Sequence, residues 1–346
     1  MSVLAKIAVE LSDAVAQQAA LGATSTPPSF RALAQGPGWS VKDVTCTYGP
    51  HDRPFREEHT GFSIALVLAG TFQYRGAPAL DRNGQLMTPG SLMLGNPGQS
   101  FECVHEHGHG DRCLSFHFLP QLFEELACDA GARRGQRAFR ILRLPAARET
   151  STLAARVSAQ LAALSQAANL GAPCSAMQWE ELALEMAASS IRLASGSAGD
   201  PAGPLPSTAA RITRVVRIID EEIGEPAWTL QRLAAEARLS PYHFLRTFEQ
   251  VVGVTPHQYV RRARLRRAAA QLLAEPSSVL NIALDCGFSD VSNFNRAFRN
   301  EFRVSPRQFR RQHLPPRGIS NSDPTSLLYS VEMGSRSRPS HEKAES

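Results

Sequence analysis

No run of 18 or more apolar residues occurs anywhere in the 346-residue chain, so no membrane-spanning helix is expected. The opening VLAKIAVELSDAVAQQAA is interrupted by Glu10 and Asp13, which argues against a signal peptide and predicts an N-terminal helix or arm over residues 1–29. The six cysteines, at 46, 103, 113, 128, 174 and 286, form no CxxC pair and no regular framework. Reduced thiols in a cytoplasmic protein are the expectation. Lysine is missing from residues 205–313, where 17 Arg stand against 10 Asp or Glu. That segment therefore carries +7 in a chain of net charge +5, leaving −2 for everything else. A basic region confined in this way is the footprint of a module that contacts phosphates, and Arg in place of Lys favours bidentate recognition.

The stretch SDVSNFNRAFRNEF (289–302) reads as a helix with two unlike faces. Ser289 or Asp290 can cap it, and Phe294, Phe298 and Phe302 recur every four residues along a stripe that must be buried. Val291, Ser292, Asn295, Arg296 and Arg299 fall opposite, a set suited to base edges and phosphates in a major groove. The preceding VLNIALDCGFS supplies a second helix and a turn at Gly287, completing the order of a helix-turn-helix.

The pattern occurs twice. Leu233 and Ala234 match Ile282 and Ala283 at an offset of 49; Phe244, Arg246, Phe248, Val254, Pro256 and Gln258 match Phe294, Arg296, Phe298, Val304, Pro306 and Gln308 at an offset of 50. A repeat is far more specific than one helix-turn-helix match. Between the copies, Pro256 can open a helix that runs to about Ala274, before Pro276 stops it. Such a rod is about 28 Å long, close to the ~34 Å between successive major grooves on one face of B-DNA. Arg261, Arg262, Arg264, Arg266 and Arg267 crowd its middle, and Tyr259, Ala263, Ala270 and Leu273 give it a modest apolar side. Some of these arginines should meet phosphate and others structural acids.

With IALDCGFSDVSNFNRAFRNEFRVSPRQFR (282–310) nearly complete, residues of about 207–313 resemble the tandem helix-turn-helix domain of the AraC/XylS family of bacterial transcription regulators. The resemblance implies promoter DNA and RNA polymerase as partners, a homodimer, and an N-terminal domain that binds a small effector. It assigns base reading to Tyr242, Leu245 and Arg246 in the first copy and to Val291, Ser292, Asn295 and Arg296 in the second; Arg261, Arg262, Arg266 and Arg299 are read as phosphate contacts. The first copy departs from the pattern where Arg238 stands opposite Gly287, and where Leu245 replaces a polar residue.

Upstream, from about residue 30 to 120, the texture is β. Strands are expected at 62–68, 71–75, 91–94, 101–105 and 113–118, separated by Gly- and Pro-containing turns. Short strands of this kind argue for a small barrel or sandwich. The spacing of HTGFSIALVLAG and TPGSLMLGNPGQSFE resembles the cupin-like sensing domain of AraC-type regulators. In CVHEHGHGDRC, the residues Cys103, His105, His107 and His109 alternate, with Cys113 close behind, and these are the candidate metal donors. The cupin metal motif is incomplete, since His59 has no second His beside it and Phe101 stands near the place of the later one. No metal, cofactor or catalytic residue is therefore expected, and the cluster reads first as structural, with metal binding or redox sensing through Cys103 or Cys113 as alternatives.

Residues 121–194 return to a helical pattern, with stripes Leu153, Val157, Leu161, Leu164 and Trp179, Leu182, Met186, Ile191 that could pack on the barrel or on a second copy of the chain. Residues 195–207 read as a linker and 314–346 as a disordered tail. The expectation is thus a multidomain α+β protein: a cupin-like β domain with a helical segment, then an all-α DNA-binding domain at 208–313. Rival readings are a metal-dependent cupin enzyme fused to a DNA module, and an adaptor whose basic half meets acidic partners.

Overall fold

The computed structural model describes residues 3–20, 27–76, 84–106, 110–129, 139–170, 176–195, 206–225, 228–274 and 276–313. Most of the expected linker, the expected tail, His107 and His109 lie outside the described residues. Helix α1 (Val3–Ala20) is followed by strands β1 (Ser29–Gly36), β2 (Trp39–Cys46), β3 (Phe55–Glu58), β4 (Phe62–Gly70), β5 (Phe72–Arg75), β6 (Gln85–Met87), β7 (Leu92–Gly95), β8 (Ser100–Val104) and β9 (Asp111–Phe118). Next come α2 (Pro120–Asp129), β10 (Arg143–Leu144), α3 (Arg148–Leu170) and α4 (Ala176–Ser195). The C-terminal half is all-helical: α5 (Pro206–Glu221), α6 (Leu230–Glu236), α7 (Pro241–Val252), α8 (Pro256–Ala274), α9 (Val279–Asp285), α10 (Val291–Phe302) and α11 (Pro306–His313).

The strands form an antiparallel six-stranded sheet, β1-β2-β9-β4-β7-β10, and a four-stranded sheet, β3-β8-β5-β6. Strand β4, FSIALVLAG, explains the arrangement. It is buried along nearly its whole length, as its unbroken apolar run requires, because both of its faces are covered. Its small residues Ala65 and Val67 face the interior between the sheets, beside Phe72, Tyr74, Met87 and Phe101. Its larger Phe62, Ile64, Leu66 and Leu68 join the helices, beside Phe123, Leu153, Val157, Leu161, Trp179 and Met186. The stripes of α3 and α4 are therefore consumed within this chain, against its own sheet.

Helix α8 has the bounds the two prolines set, but its surroundings differ from the expected modest apolar side. Tyr259, Val260 and Ala263 belong to the core of the first helix-turn-helix, with Phe244 and Phe248. Leu265, Ala268, Ala269 and Leu272 belong to the core of the second, with Phe294 and Phe298. One helix is thus a shared wall for both copies, and small alanines let the neighbours close in on it. The described residues up to His313 form one compact unit. Arg143 donates to the carbonyls of Leu86, Val251 and Val252 at 3.0, 3.0 and 3.3 Å, tying β6 and the end of α7 together. Ser151 of α3 donates to Glu301 of α10 at 2.5 Å.

Candidate nucleic-acid interface

Each copy of the reader is built by the same local chemistry. Ser240 and Asp290 cap α7 and α10 by accepting from the backbone N–H groups of His243 (3.4 Å) and Asn293 (2.6 Å). Thr229 and Ser278 do the same for the preceding helices α6 and α9. Phe244, Phe248, Phe294 and Phe298 are fully buried, with adjacent rings 5.4 Å apart in α7 and 5.5 Å apart in α10. Burial of such a side chain contributes roughly 1.5–3 kcal/mol, so these anchors fix which face of each helix is left outward.

The outward faces carry the expected readers. Arg246, Ser292 and Arg296 are exposed, and Leu245, Val291 and Asn295 are half-buried; the side chain of Tyr242 lies outside the described residues. Leu245 of α7 and Asn293, Arg296 and Asn300 of α10 line one depression of about 770 Å³, floored by Arg261 and Arg264 of α8. Of the expected readers, Leu245 and Arg296 line it together. Among the described residues Arg296 makes a loose contact, 3.4 Å to the Asn293 side chain, and its exposed guanidinium can meet a partner.

The phosphate set divides. Arg261 and Arg299 are exposed. Arg262 and Arg266 are not placed as expected. Arg262 turns inward, donating to the Ala146 carbonyl at 2.9 Å with its Nε 3.6 Å from Glu301. Arg266 lies over the Tyr259 ring at 5.9 Å and packs beside Gly90. Their helix packs against the N-terminal half, which puts an internal acceptor within reach of Arg262 and an internal ring within reach of Arg266. Sequence spacing gave no hint of this, because Ala146 and Gly90 lie more than a hundred positions away.

Between the two halves lies a cavity of about 600 Å³, walled by α1, β4, α3, α5 and α8, with Leu66, Leu68, Val15 and Ala155 on one side and Arg217, Asp220, Arg266 and Arg267 on the other. Asp220 accepts from the Tyr259 hydroxyl at 2.8 Å. Burial raises its carboxyl to about 7, against the opposing pull of Arg266 and of that hydrogen bond.

Of the candidate metal donors, His105 is buried just beyond the end of β8, with Nε2 2.7 Å from Asp111, and Cys113 donates to the other Asp111 oxygen at 3.2 Å. The strand does not continue through His105 as the alternation supposed. Sequence reading missed Cys46 and Asp111, which the β2–β9 register sets opposite one another across 65 residues of chain. Burial, then the neighbouring Asp111, holds the thiols of Cys46, Cys103 and Cys113 above the usual range.

A helix-turn-helix family model matches residues 233–312, and the model of the AraC-like ligand-binding domain matches 44–178. The regulator MtrA of Neisseria gonorrhoeae is 35% identical over 101 residues, 29% of this chain and 34% of that protein. The activator RhaS of Escherichia coli O139:H28 is 35% identical over 107 residues, 31% of this chain and 38% of its own length. This chain thus spans about a third of the curated relatives it matches. Among solved structures, the DNA-binding domain of AdpA in complex with a target DNA is 28% identical over 30% of this chain and 92% of that one, with a TM-score of 0.29. The ligand-binding model lies over the β half and the helix-turn-helix model over the tandem pattern, so this chain is similar in both parts to AraC-type transcription regulators.

Proposed function

We propose that the chain reads a two-part promoter site with α7 and α10 in neighbouring major grooves, under control of a small effector bound by its N-terminal half. The observation that carries this reading is a depression lined by Leu245 of α7 and Arg296 of α10 together, with Arg261 and Arg264 of α8 beside them. Tyr242, Leu245, Arg246, Val291, Ser292, Asn295 and Arg296 meet base edges, and Arg261 and Arg299 meet phosphates. The effector occupies the cavity between the halves, where it touches β4 and α8 together. A ligand so placed can bind two arrangements of the halves unequally, which is the condition for it to change DNA affinity. Since the α3 and α4 stripes are already buried, the homodimer that the family resemblance implies uses other faces. RNA polymerase is a partner on the same resemblance, the setting is cytoplasmic, and no enzymatic activity is assigned.

The test is titration of the full chain against a duplex selected from a random pool and against random duplex, at several salt concentrations. Specific proteins prefer their site by roughly a thousandfold or more. Equal affinity for both duplexes, or equal competition by an acidic polypeptide, would exclude promoter reading and favour an adaptor.

A further inference from the structure

One end of the β sandwich gathers donors that DNA reading does not use. Cys46, His105 and Asp111 are buried, and one donor atom from each lies within 4.8 Å of the others. They reach that point from three strand ends in two sheets: Cys46 closes β2, Asp111 opens β9 directly opposite it, and His105 follows β8. Cys113, two residues along β9 and so on the same face as Asp111, has its Sγ 3.2 Å from an Asp111 oxygen. The other Asp111 oxygen sits 2.7 Å from His105 Nε2. Nδ1 of His105 is buried without a hydrogen-bond partner among the described residues. Buried polar atoms are nearly always paired, so an orphaned imidazole nitrogen in a pocket of thiols and a carboxylate calls for an explanation.

We propose that Cys46, His105 and Asp111, with Cys113 as fourth donor, hold a divalent cation of the zinc class. Thiolate, imidazole and carboxylate are together the donors such ions accept, and four of them satisfy a closed tetrahedral site. Bond lengths of about 2.0–2.3 Å put tetrahedral donors about 3.3–3.8 Å apart, so the widest pair has to draw in by up to about 1 Å while His105 and Asp111, now 2.7 Å apart, separate by roughly 0.6 Å. On binding, the two thiols release their protons to solvent as the S–metal bonds form, and Asp111 exchanges its contacts with His105 and Cys113 for the ion. The rings of Phe72 and Tyr48, centred 5.8 and 6.4 Å from that of His105, wall the site with apolar surface that fixes the imidazole. The site also lies under α1. A Cβ on Gly110, next to Asp111, would stand 2.9 Å from Val15 and 3.1 Å from Leu11. The ion would therefore brace the strand on which α1 rests, and α1 in turn walls the cavity between the halves.

The full chain, stripped with a chelator under reducing conditions, is titrated with Co²⁺ as a spectroscopic probe and then with Zn²⁺. One equivalent of Co²⁺ should produce a thiolate-to-metal charge-transfer band that Zn²⁺ abolishes. In denaturant just short of the unfolding midpoint, where the buried thiols become reachable, Zn²⁺ should also protect Cys46 and Cys113 from alkylation, while the exposed Cys128 reacts with or without metal. The double variant Cys46→Ser, His105→Ala should bind about 100-fold more weakly, and Cys128→Ser as tightly as the parent. Absence of stoichiometric binding, unchanged affinity in the folded double variant, or unchanged alkylation of Cys46 and Cys113 would overturn the site and leave a hydrogen-bonded core cluster. Should the double variant fail to fold, alkylation of the parent protein decides. None of these readouts involves DNA, so their failure leaves promoter reading untouched, and failure to bind DNA leaves the metal site untouched.

Discussion

The two helix-turn-helix copies hold the same backbone with opposite residues. In the first, the turn is made by Arg238 at φ 53° and the helix exit by Gly253 at φ 84°. In the second, Gly287 makes the turn at φ 80° and Arg303 the exit at φ 66°. Left-handed backbone costs a residue with a Cβ roughly 1–2 kcal/mol, so each copy carries one strained position. Space decides which one. A Cβ on Gly253 would meet Pro145 at 3.0 Å, and one on Gly287 would meet the Gly224 carbonyl and Arg264 at 3.0 Å. Arg238 and Arg303 are exposed. Glycine thus stands where a neighbour crowds the chain, and arginine is tolerated where solvent lies beyond. The departure at Arg238, where the first copy lacks the glycine of the second, leaves the turn intact.

The copies differ more in what they offer DNA. The second presents Asn295 and Arg296, and the first offers Leu245 and Arg246 at the same positions. Base discrimination should therefore be concentrated in the second copy, with the first contributing methyl contacts and phosphate attraction.

The comparison can be broken in several places. Phe248→Ala and Phe298→Ala remove equivalent buried rings, and each should lower stability by about 3–5 kcal/mol in denaturant titrations. A loss at only one would show that the copies do not share the core described for α8. Next, Arg296→Ala should weaken specific binding by about 1–3 kcal/mol and relax preference at one base position, while Leu245→Ala should lose under about 1 kcal/mol. Comparable losses on selected duplexes would mean the copies read alike. Gly287→Ala should destabilise by about 1–2 kcal/mol or more, whereas Arg238→Gly should be neutral or stabilising by up to about 1 kcal/mol. Melting curves giving both changes the same sign would contradict the account of strain. Arg261→Ala and Arg299→Ala should weaken all duplexes alike and lower the salt slope by about 1 each.

A separate effect concerns pH. Asp220 sits in the first copy's surroundings, half-buried at the cavity wall, with its folded pKa raised from 3.8 to about 7. Between those values the unfolded chain gives up a proton that the folded chain retains, so stability should fall as pH rises from about 4 to about 7 and level off above. Asp220→Asn should flatten that slope in melts across the range. An unchanged slope would place its origin elsewhere.

How much of this was legible in the sequence follows from range. The caps, the phenylalanine stripes and the bounds of α8 are local, set by residues three or four apart, and Ser240, Asp290, Phe294 and Pro256 could be read directly. The strands 62–68 and 113–118 were legible because β4 is nearly all apolar and β9 alternates Leu114, Phe116 and Phe118 with Ser115 and His117. Strand β2, WSVKDVTC, was not: it mixes Lys42 and Asp43 with core residues, and Asp43 is buried where Arg112 and Arg31 pair with it at 2.8 and 2.9 Å. The same limit applies to Arg262, whose partners come from α3's neighbourhood, and to Cys46 beside Asp111. Pairings of that span are fixed by sheet register and by the docking of the two halves, which no local pattern encodes.

The most direct test of the two-groove reading is hydroxyl-radical and methylation footprinting of the full chain on a duplex selected from a random pool. Two protected major-groove patches about one helical turn apart on one face of the DNA are predicted, with Arg296→Ala erasing one and sparing the other. A single patch, or simultaneous loss of both in Arg296→Ala, would contradict it.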